Sequence, residues 1–251
     1  MKNFVIGIAG VKNSGKDIVA SMINYIFAVG VSKAKYQDWL FKKHIYDVNF
    51  KDRIIHFADP LKDILSILYN IPREYFDNRE CKDELWYCFN TNTFIENANQ
   101  RPGNEVAIIN INTFKSFRLN TFLIYNKERL VCIKLRTLLQ YFGTEVCRKE
   151  LDDDIWIKCA IGKIVDKAES RRLCLVPDVR FANEADALRI SNDSLYGGVI
   201  EVRRNDIKNT DNHDSEIIDF AVDDVIENNS TKMALFYKVL NYVEHIISKY
   251  K

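Results

Sequence analysis

The stretch that most restricts how this chain can fold runs from residue 4 to residue 17, Phe-Val-Ile-Gly-Ile-Ala-Gly-Val-Lys-Asn-Ser-Gly-Lys-Asp. Its first half, Phe4 to Ala9, is apolar and rich in β-branched residues, as a buried strand requires. Gly10-x-x-x-x-Gly15-Lys16 follows at once, and Ile18, Val19, Met22, Ile23 and Ile26 then recur at helical spacing. Strand, glycine loop and helix in that order form a cradle for a polyphosphate. Such a ligand needs several backbone N–H groups converging on it without intervening side chains, and the start of the helix adds free amides and a positive dipole end. Gly10 and Gly15 give that access, Lys12, Asn13 and Ser14 fill the loop between them, and Lys16 is placed to reach β- and γ-phosphate oxygens.

Asp17 stands where the general motif has a Ser or Thr whose hydroxyl touches Mg²⁺. A carboxylate there has three readings: it ligates the metal directly or through water, it acts as a charge on the acceptor side, or it favours the helix dipole. The residues alone leave all three open.

The 251 residues are enough for one sizeable core, and the formal charge of +1 creates no global field that would recruit nucleic acid or an anionic membrane. No apolar run approaches a membrane span, and the amino terminus opens directly into a strand rather than a signal peptide, so a cytoplasmic protein is expected. Cys81, Cys88, Cys132, Cys147, Cys159 and Cys174 lack C-x-x-C spacing, which predicts buried thiols and neither zinc ligands nor disulfides.

Further along, 53–58 reads as a second strand, and Asp59-Pro60 as the N-cap and first residue of a helix with Leu61, Ile64, Leu65 and Leu68 on its apolar face. Residues 71–127 break the alternation of strands and helices. Their apolar runs 106–111 and 121–125 suggest a small antiparallel insertion or lid, in which Arg101, Lys115, Arg118 and Lys127 are more simply solvated charges than phosphate ligands. From Val131 the pattern reads as helical. Spacing of four sets Arg136 beside Gln140 and Gln140 beside Thr144, an arm of polar groups suited to a base and a phosphate. Gly143 within it implies a kink, a close approach by a ligand, or a helix end. Trp156 opens the next helix as a core residue or as a ring to stack on a base. Residues 173–177 form a third strand with Asp178 at its tip, positioned as a metal carboxylate, and Arg180 just beyond as a phosphate clamp; Glu184 lies one turn on, close enough to orient Arg180. Asp178 as a plain helix cap and Arg180 with Glu184 as a surface pair is the simpler alternative. A fourth strand ends at Arg203-Arg204, a fifth spans 222–227, and a last helix covers 231–248. His213 and Glu216 lie in the polar loop between the fourth and fifth strands.

Three segments in this order, Gly-Val-Lys-Asn-Ser-Gly-Lys-Asp, Leu-Leu-Gln-Tyr-Phe-Gly-Thr-Glu and Pro-Asp-Val-Arg-Phe-x-x-Glu, give the chain a resemblance to the deoxynucleoside monophosphate kinases of tailed bacteriophages. That family also closes its phosphate loop with Lys-Asp, although a Thr usually follows where this chain has Ile18. The resemblance implies an α/β P-loop NTPase fold in a single kinase domain over 1–251: three layers, with a mostly parallel central sheet flanked by helices; the inserted lid or small antiparallel segment read from the residues at 71–127 finds little detailed match in the family. It also implies transfer of the γ-phosphoryl of ATP to deoxynucleoside 5′-monophosphates, with Mg²⁺ near Asp17 and Asp178, for dNTP supply in phage DNA synthesis. Lys16, Asp17, Arg136 and Arg180 would be catalytic, and Arg136, Thr137, Gln140, Gly143, Thr144, Trp156, Asp178, Arg180 and Glu184 would shape the acceptor site. Small-molecule nucleotides are then the partners, without nucleic acid or membrane, and a homodimer is compatible with the family. Two other readings compete: a phosphomevalonate or other small-metabolite kinase, and an ATP-binding regulatory protein that transfers nothing. Base-directed Gln140 and Trp156 argue against the first, and a second anion site at Arg136 and Arg180 argues against the other.

Overall fold

The computed structural model describes residues 2–49, 51–88, 93–96, 107–110, 121–125, 128–205 and 218–250, with backbone alone for the stretches between 93 and 131. His213, Glu216, Arg101, Lys115, Arg118 and Lys127 lie outside the described residues or have undescribed side chains. Two compact units emerge, one made of 1–59 with 153–251 and the other of 60–152.

The first unit is built on β1 (Asn3–Ala9), the apolar run expected as a strand. Its strand neighbours come from far along the chain: β7 (Leu173–Val179) pairs with it on one side, β8 (Leu195–Arg203) on the other, and β9 (Asp224–Glu227) follows β8, all parallel. Because strand side chains alternate, β1 faces two ways. Phe4, Ile6 and Ile8 join the buried cluster that holds Val19, Met22, Ile23 and Ile26 of α1 (Lys16–Val29) and Leu235, Phe236, Val239 and Val243 of α9 (Lys232–Lys249). Gly7 points the opposite way, where a Cβ would lie 2.8 Å from Leu188 of α8 (Ala182–Leu188). Helices α7 (Ile155–Arg171) and α2 (Tyr36–Asn49) complete the unit, α7 against β7 and β1 and α2 against α1. Helix, sheet and helix thus form the three layers that the family resemblance implied. Each fully buried Ile, Leu or Phe contributes about 1.5–3 kcal/mol, so this cluster, which anchors both ends of the phosphate loop, dominates the unit's stability.

One expected strand is nearly absent. Within 53–58 only Ile54 makes a parallel bridge, to Leu175, followed by a bond from Ile55 N–H to the Leu175 carbonyl at 3.0 Å. The next amides are taken by side chains: Phe57 and Ala58 N–H donate to the Asp178 carboxylate, both at 3.2 Å, and His56 N–H to Asp59 at 3.2 Å. An amide engaged this way cannot extend a ladder. Asp59 thus also accepts backward, from the His56 amide.

In the second unit α3 (Asp59–Tyr69), α4 (Arg73–Asp77), α5 (Arg79–Glu84) and α6 (Leu135–Gln140) accompany a wholly antiparallel five-stranded sheet ordered β3-β2-β6-β5-β4. Its strands are β2 (Leu85–Cys88), β3 (Thr93–Glu96), β4 (Ala107–Asn110), β5 (Thr121–Tyr125) and β6 (Glu128–Lys134). The runs at 106–111 and 121–125 are strands, as expected. Val131 to Lys134 is strand as well, so the helix starts four residues later than its apolar pattern implied. The cysteine expectation also needs correction. Cys88 and Cys132 face each other across β2 and β6 with Cα atoms 4.1 Å apart and are joined as a disulfide, while Cys81, Cys147, Cys159 and Cys174 are free. Strand register placed them together, and spacing along the chain carries no trace of it.

Candidate active site

The loop between β1 and α1 has the backbone that a phosphate cradle needs. Gly10 (φ +151°) and Gly15 (φ +101°) occupy conformations that side chains disfavour, and Asn13 is left-handed at φ 71°. At Gly10 a Cβ would lie 2.5 Å from Ser14 Oγ and 2.7 Å from the Val202 carbonyl; at Gly15 it would lie 2.6 Å from Asn228 Nδ2. Both positions disfavour any larger residue by φ, and Gly10 also by the backbone in its way. Gly15 is also the N-cap of α1, and no side chain caps the helix, so its first turn keeps amides for an anion. Lys16 Nζ donates to the Gly10 carbonyl and, at 3.1 Å, to the Val11 carbonyl, which holds the ammonium inside the loop. Asp17 is exposed in the first turn of α1. Lys12 is half-buried and Asn13 exposed. Ser14 is fully buried, and its hydroxyl has no hydrogen-bond partner among the described residues.

Asn228, just past β9, holds this loop from outside: its Nδ2 donates to the Ser14 carbonyl at 2.8 Å, and its own N–H donates to Arg203 O at 2.8 Å. Beside it opens a cavity of about 450 Å³ lined by Ile18, Arg204, Asn205, Asn228, Asn229 and Lys232. In the sequence Arg204 marks only a strand end, and nothing local singles out Asn228, Asn229 or Lys232. The one available signal was position: a polar loop after a strand parallel to β1 must open at the carboxyl edge of the sheet, where ligands of such sheets bind.

Asp178 also belongs to that edge, since its neighbour Val179 pairs with Ala9, the last residue of β1. Its two carboxylate oxygens receive the Phe57 and Ala58 amides, with His56 Nδ1 3.7 Å away. Two residues on, the Arg180 and Phe181 amides donate to Glu184 Oε2 at 2.8 and 3.2 Å. Glu184 is only 3 % exposed, so it orients the Arg180 backbone from inside the fold, as a residue at the third position of a helix reaching back to its N-cap does. Trp156 is buried in α7 at 4 % exposure.

The second unit carries the other set. Arg136 is half-buried on α6 and ion-paired through Nε to Asp83 of α5; Arg79 lies 3.8 Å from the same carboxylate. Thr137 is exposed and Gln140 half-buried. The chain then passes into a π-helical run, Tyr141–Arg148, in which hydrogen bonds reach five residues back instead of four. Gly143 and Thr144 are buried within it. At Gly143 a Cβ would approach Leu61 Cδ2 of α3 to 2.7 Å, so the glycine is accounted for by close helix packing. Gly10 to Asp17, Trp156, Asp178, Arg180 and Glu184 therefore share the first unit, and Arg136, Thr137, Gln140, Gly143 and Thr144 share the second.

A loop that presents amides and an ammonium to an anion, a carboxylate on the adjoining strand and a buried glutamate behind an arginine are the parts phosphoryl transfer uses, because that reaction needs positioning and charge neutralisation more than covalent chemistry. Among the described residues no three His, Cys, Asp or Glu side chains cluster as a metal cage, and no helix is long and apolar enough to cross a membrane. A search of curated proteins finds no match to this chain. The family model described as deoxynucleotide monophosphate kinase matches residues 4–239, from β1 into α9. The chain is therefore a member of the deoxynucleotide monophosphate kinase family, and so a nucleotide kinase.

Proposed function

We propose that this kinase transfers the γ-phosphoryl group of ATP to deoxynucleoside 5′-monophosphates and releases ADP and a dNDP, within dNTP supply for phage DNA synthesis in the host cytoplasm. The observation that carries the donor half is the junction of the phosphate loop with the cavity beside Asn228. A triphosphate in the loop has there a pocket with an apolar wall at Ile18 and Leu235 and amides and cations at Asn228, Asn229, Arg204 and Lys232, a lining that suits a nucleobase and ribose. Asn228 ties the pocket to the loop through the Ser14 carbonyl.

Lys16 leaves the Gly10 and Val11 carbonyls to meet the β- and γ-oxygens, where its charge offsets what builds up as the phosphoryl group moves. Arg180, held through its backbone by Glu184, serves the migrating phosphoryl group, and Arg136 serves the acceptor phosphate. Gln140, Gly143, Thr144, Thr137 and Trp156 are assigned to the acceptor pocket. Asp17 and Asp178, carboxylates of the kind a hard cation prefers, would hold Mg²⁺, which would supply charge neutralisation for the phosphates.

The test is an ADP-release assay with ATP, Mg²⁺ and each of dAMP, dGMP, dTMP and dCMP. Turnover with at least one is expected, and Lys16→Ala should lower it by roughly 10²–10³-fold or more while circular dichroism stays unchanged. ADP release with none of the four ends the reading.

A further inference from the structure

Charged side chains from the helices of the second unit pair off almost completely. Lys62 of α3 meets Asp77 of α4 at 3.0 Å; Arg73 of α4 meets Asp63 at 2.6 Å and Asp77 at 2.5 Å; Arg136 of α6 meets Asp83 of α5. Among the cations of these helices that the structure describes, Lys82 of α5 is the exception. It is half-buried, and its ammonium makes no hydrogen bond or ion pair among the described residues. The groups that face it are Lys62, Arg136, Asp77 and Asp83. Burial first, and then the charges of Lys62 and Arg136, push its pKa down to about 8 against the opposing pull of Asp77 and Asp83.

An ammonium half withdrawn from water, with no ion-pair partner among the described residues and faced by two further cations, is unfavourable as it stands. Both nearby carboxylates already belong to Lys62, Arg73 and Arg136. The missing partner is an anion with more than one negative charge and several acceptor oxygens. A phosphomonoester has both, being largely a dianion above pH 7.

We propose that Lys82, together with Lys62 and Arg136, binds the 5′-phosphate of the acceptor nucleotide, with Lys82 supplying a charge that no described residue pairs with. This rests on the reading of the enzyme as a dNMP kinase. The bound phosphate holds the proton on Lys82, so acceptor binding takes up a proton above pH 8 and weakens by up to about tenfold per pH unit there. Donor binding, made by the loop of the other unit, does not share this dependence.

The experiment compares the full-length native protein with Lys82→Met and Lys82→Arg. KM for the dNMP and for ATP is measured from pH 7 to 9.5, alongside calorimetric titration with inorganic phosphate as a probe independent of turnover. Expected for Lys82→Met is a rise in dNMP KM of about tenfold to a hundredfold at pH 7.5, the range of one lost charge-assisted contact, with ATP KM unchanged and phosphate binding weakened in parallel. Lys82→Arg should keep affinity and lose the break near pH 8. A folded Lys82→Met protein, by thermal unfolding, that binds dNMP and phosphate within twofold of native overturns the proposal while leaving the kinase reading standing. If no dNMP is turned over yet phosphate binding depends on Lys82, the anion site stands and the acceptor assignment falls.

Discussion

Asn228 and Gly15 lie 213 positions apart in the numbering of the chain, and a double-mutant cycle tests whether they are one device. In Gly15→Ala, a Cβ at φ +101° is strained by about 1–2 kcal/mol. The same Cβ lies 2.6 Å from Asn228 Nδ2, so the amide must move and give up its 2.8 Å bond to the Ser14 carbonyl, a further loss of about 1 kcal/mol. The single substitution should therefore destabilise by about 2–3 kcal/mol. Asn228→Ala loses the bond without the strain, about 1–2 kcal/mol. In the double variant the hydrogen bond is lost once, not twice, and the methyl group finds space, so the pair should cost about 1 kcal/mol less than the sum of the singles. Urea unfolding of the four proteins at 25 °C measures this directly. Additivity within about 0.3–0.5 kcal/mol would mean that Asn228 does not brace the loop, and the link between loop and cavity would fall with it.

Three other outcomes follow from the same coordinates. Glu184→Ala deprives the Arg180 and Phe181 amides of their acceptor, which should lower stability by about 1–3 kcal/mol and the melting temperature by about 2–4 °C per kcal/mol, with kcat falling more than ATP KM changes; an unaltered melting curve refutes the bracing role. Lys82 has its pKa lowered from 10.5 to about 8 on folding, so between these values the unfolded chain binds more protons and native stability rises with pH. Lys82→Met should accordingly be at least as stable as native at pH 7, with the margin shrinking by pH 9.5, and urea midpoints showing the opposite slope count against this. Thiol titration of the denatured, unreduced chain should find four of the six cysteines, and six after reduction; six at the outset would exclude the Cys88–Cys132 bond. In the folded protein Cys174, whose thiol burial pushes up to about 12, should resist alkylation at pH 8.

The strand, glycine loop and helix at 4–17 were legible because every requirement there is local: apolar alternation, two positions that only glycine fills, and a helical apolar stripe. The same holds for β7, β8 and α9, whose periodicity is strong. Where the reading went astray, a contact from elsewhere in the chain decided. The strand at 53–58 shrank to one bridge because Asp178 takes the amides of Phe57 and Ala58. Cys88 met Cys132 through a register that spacing does not encode.

By itself, then, the sequence determined the strand, glycine loop and helix of an α/β fold, where residue type and spacing within single elements suffice, and its membership of a nucleotide kinase family. Tertiary structure alone decided how the site is braced and charged: that Asn228 closes the loop, that Glu184 holds the Arg180 backbone, and that Lys82 meets no ion-pair partner among the described residues. Each of these depends on which distant side chain arrives beside it. Only folding settles that, because a hydrogen bond or an unmatched charge is a property of a pair, and the pair does not exist along the chain.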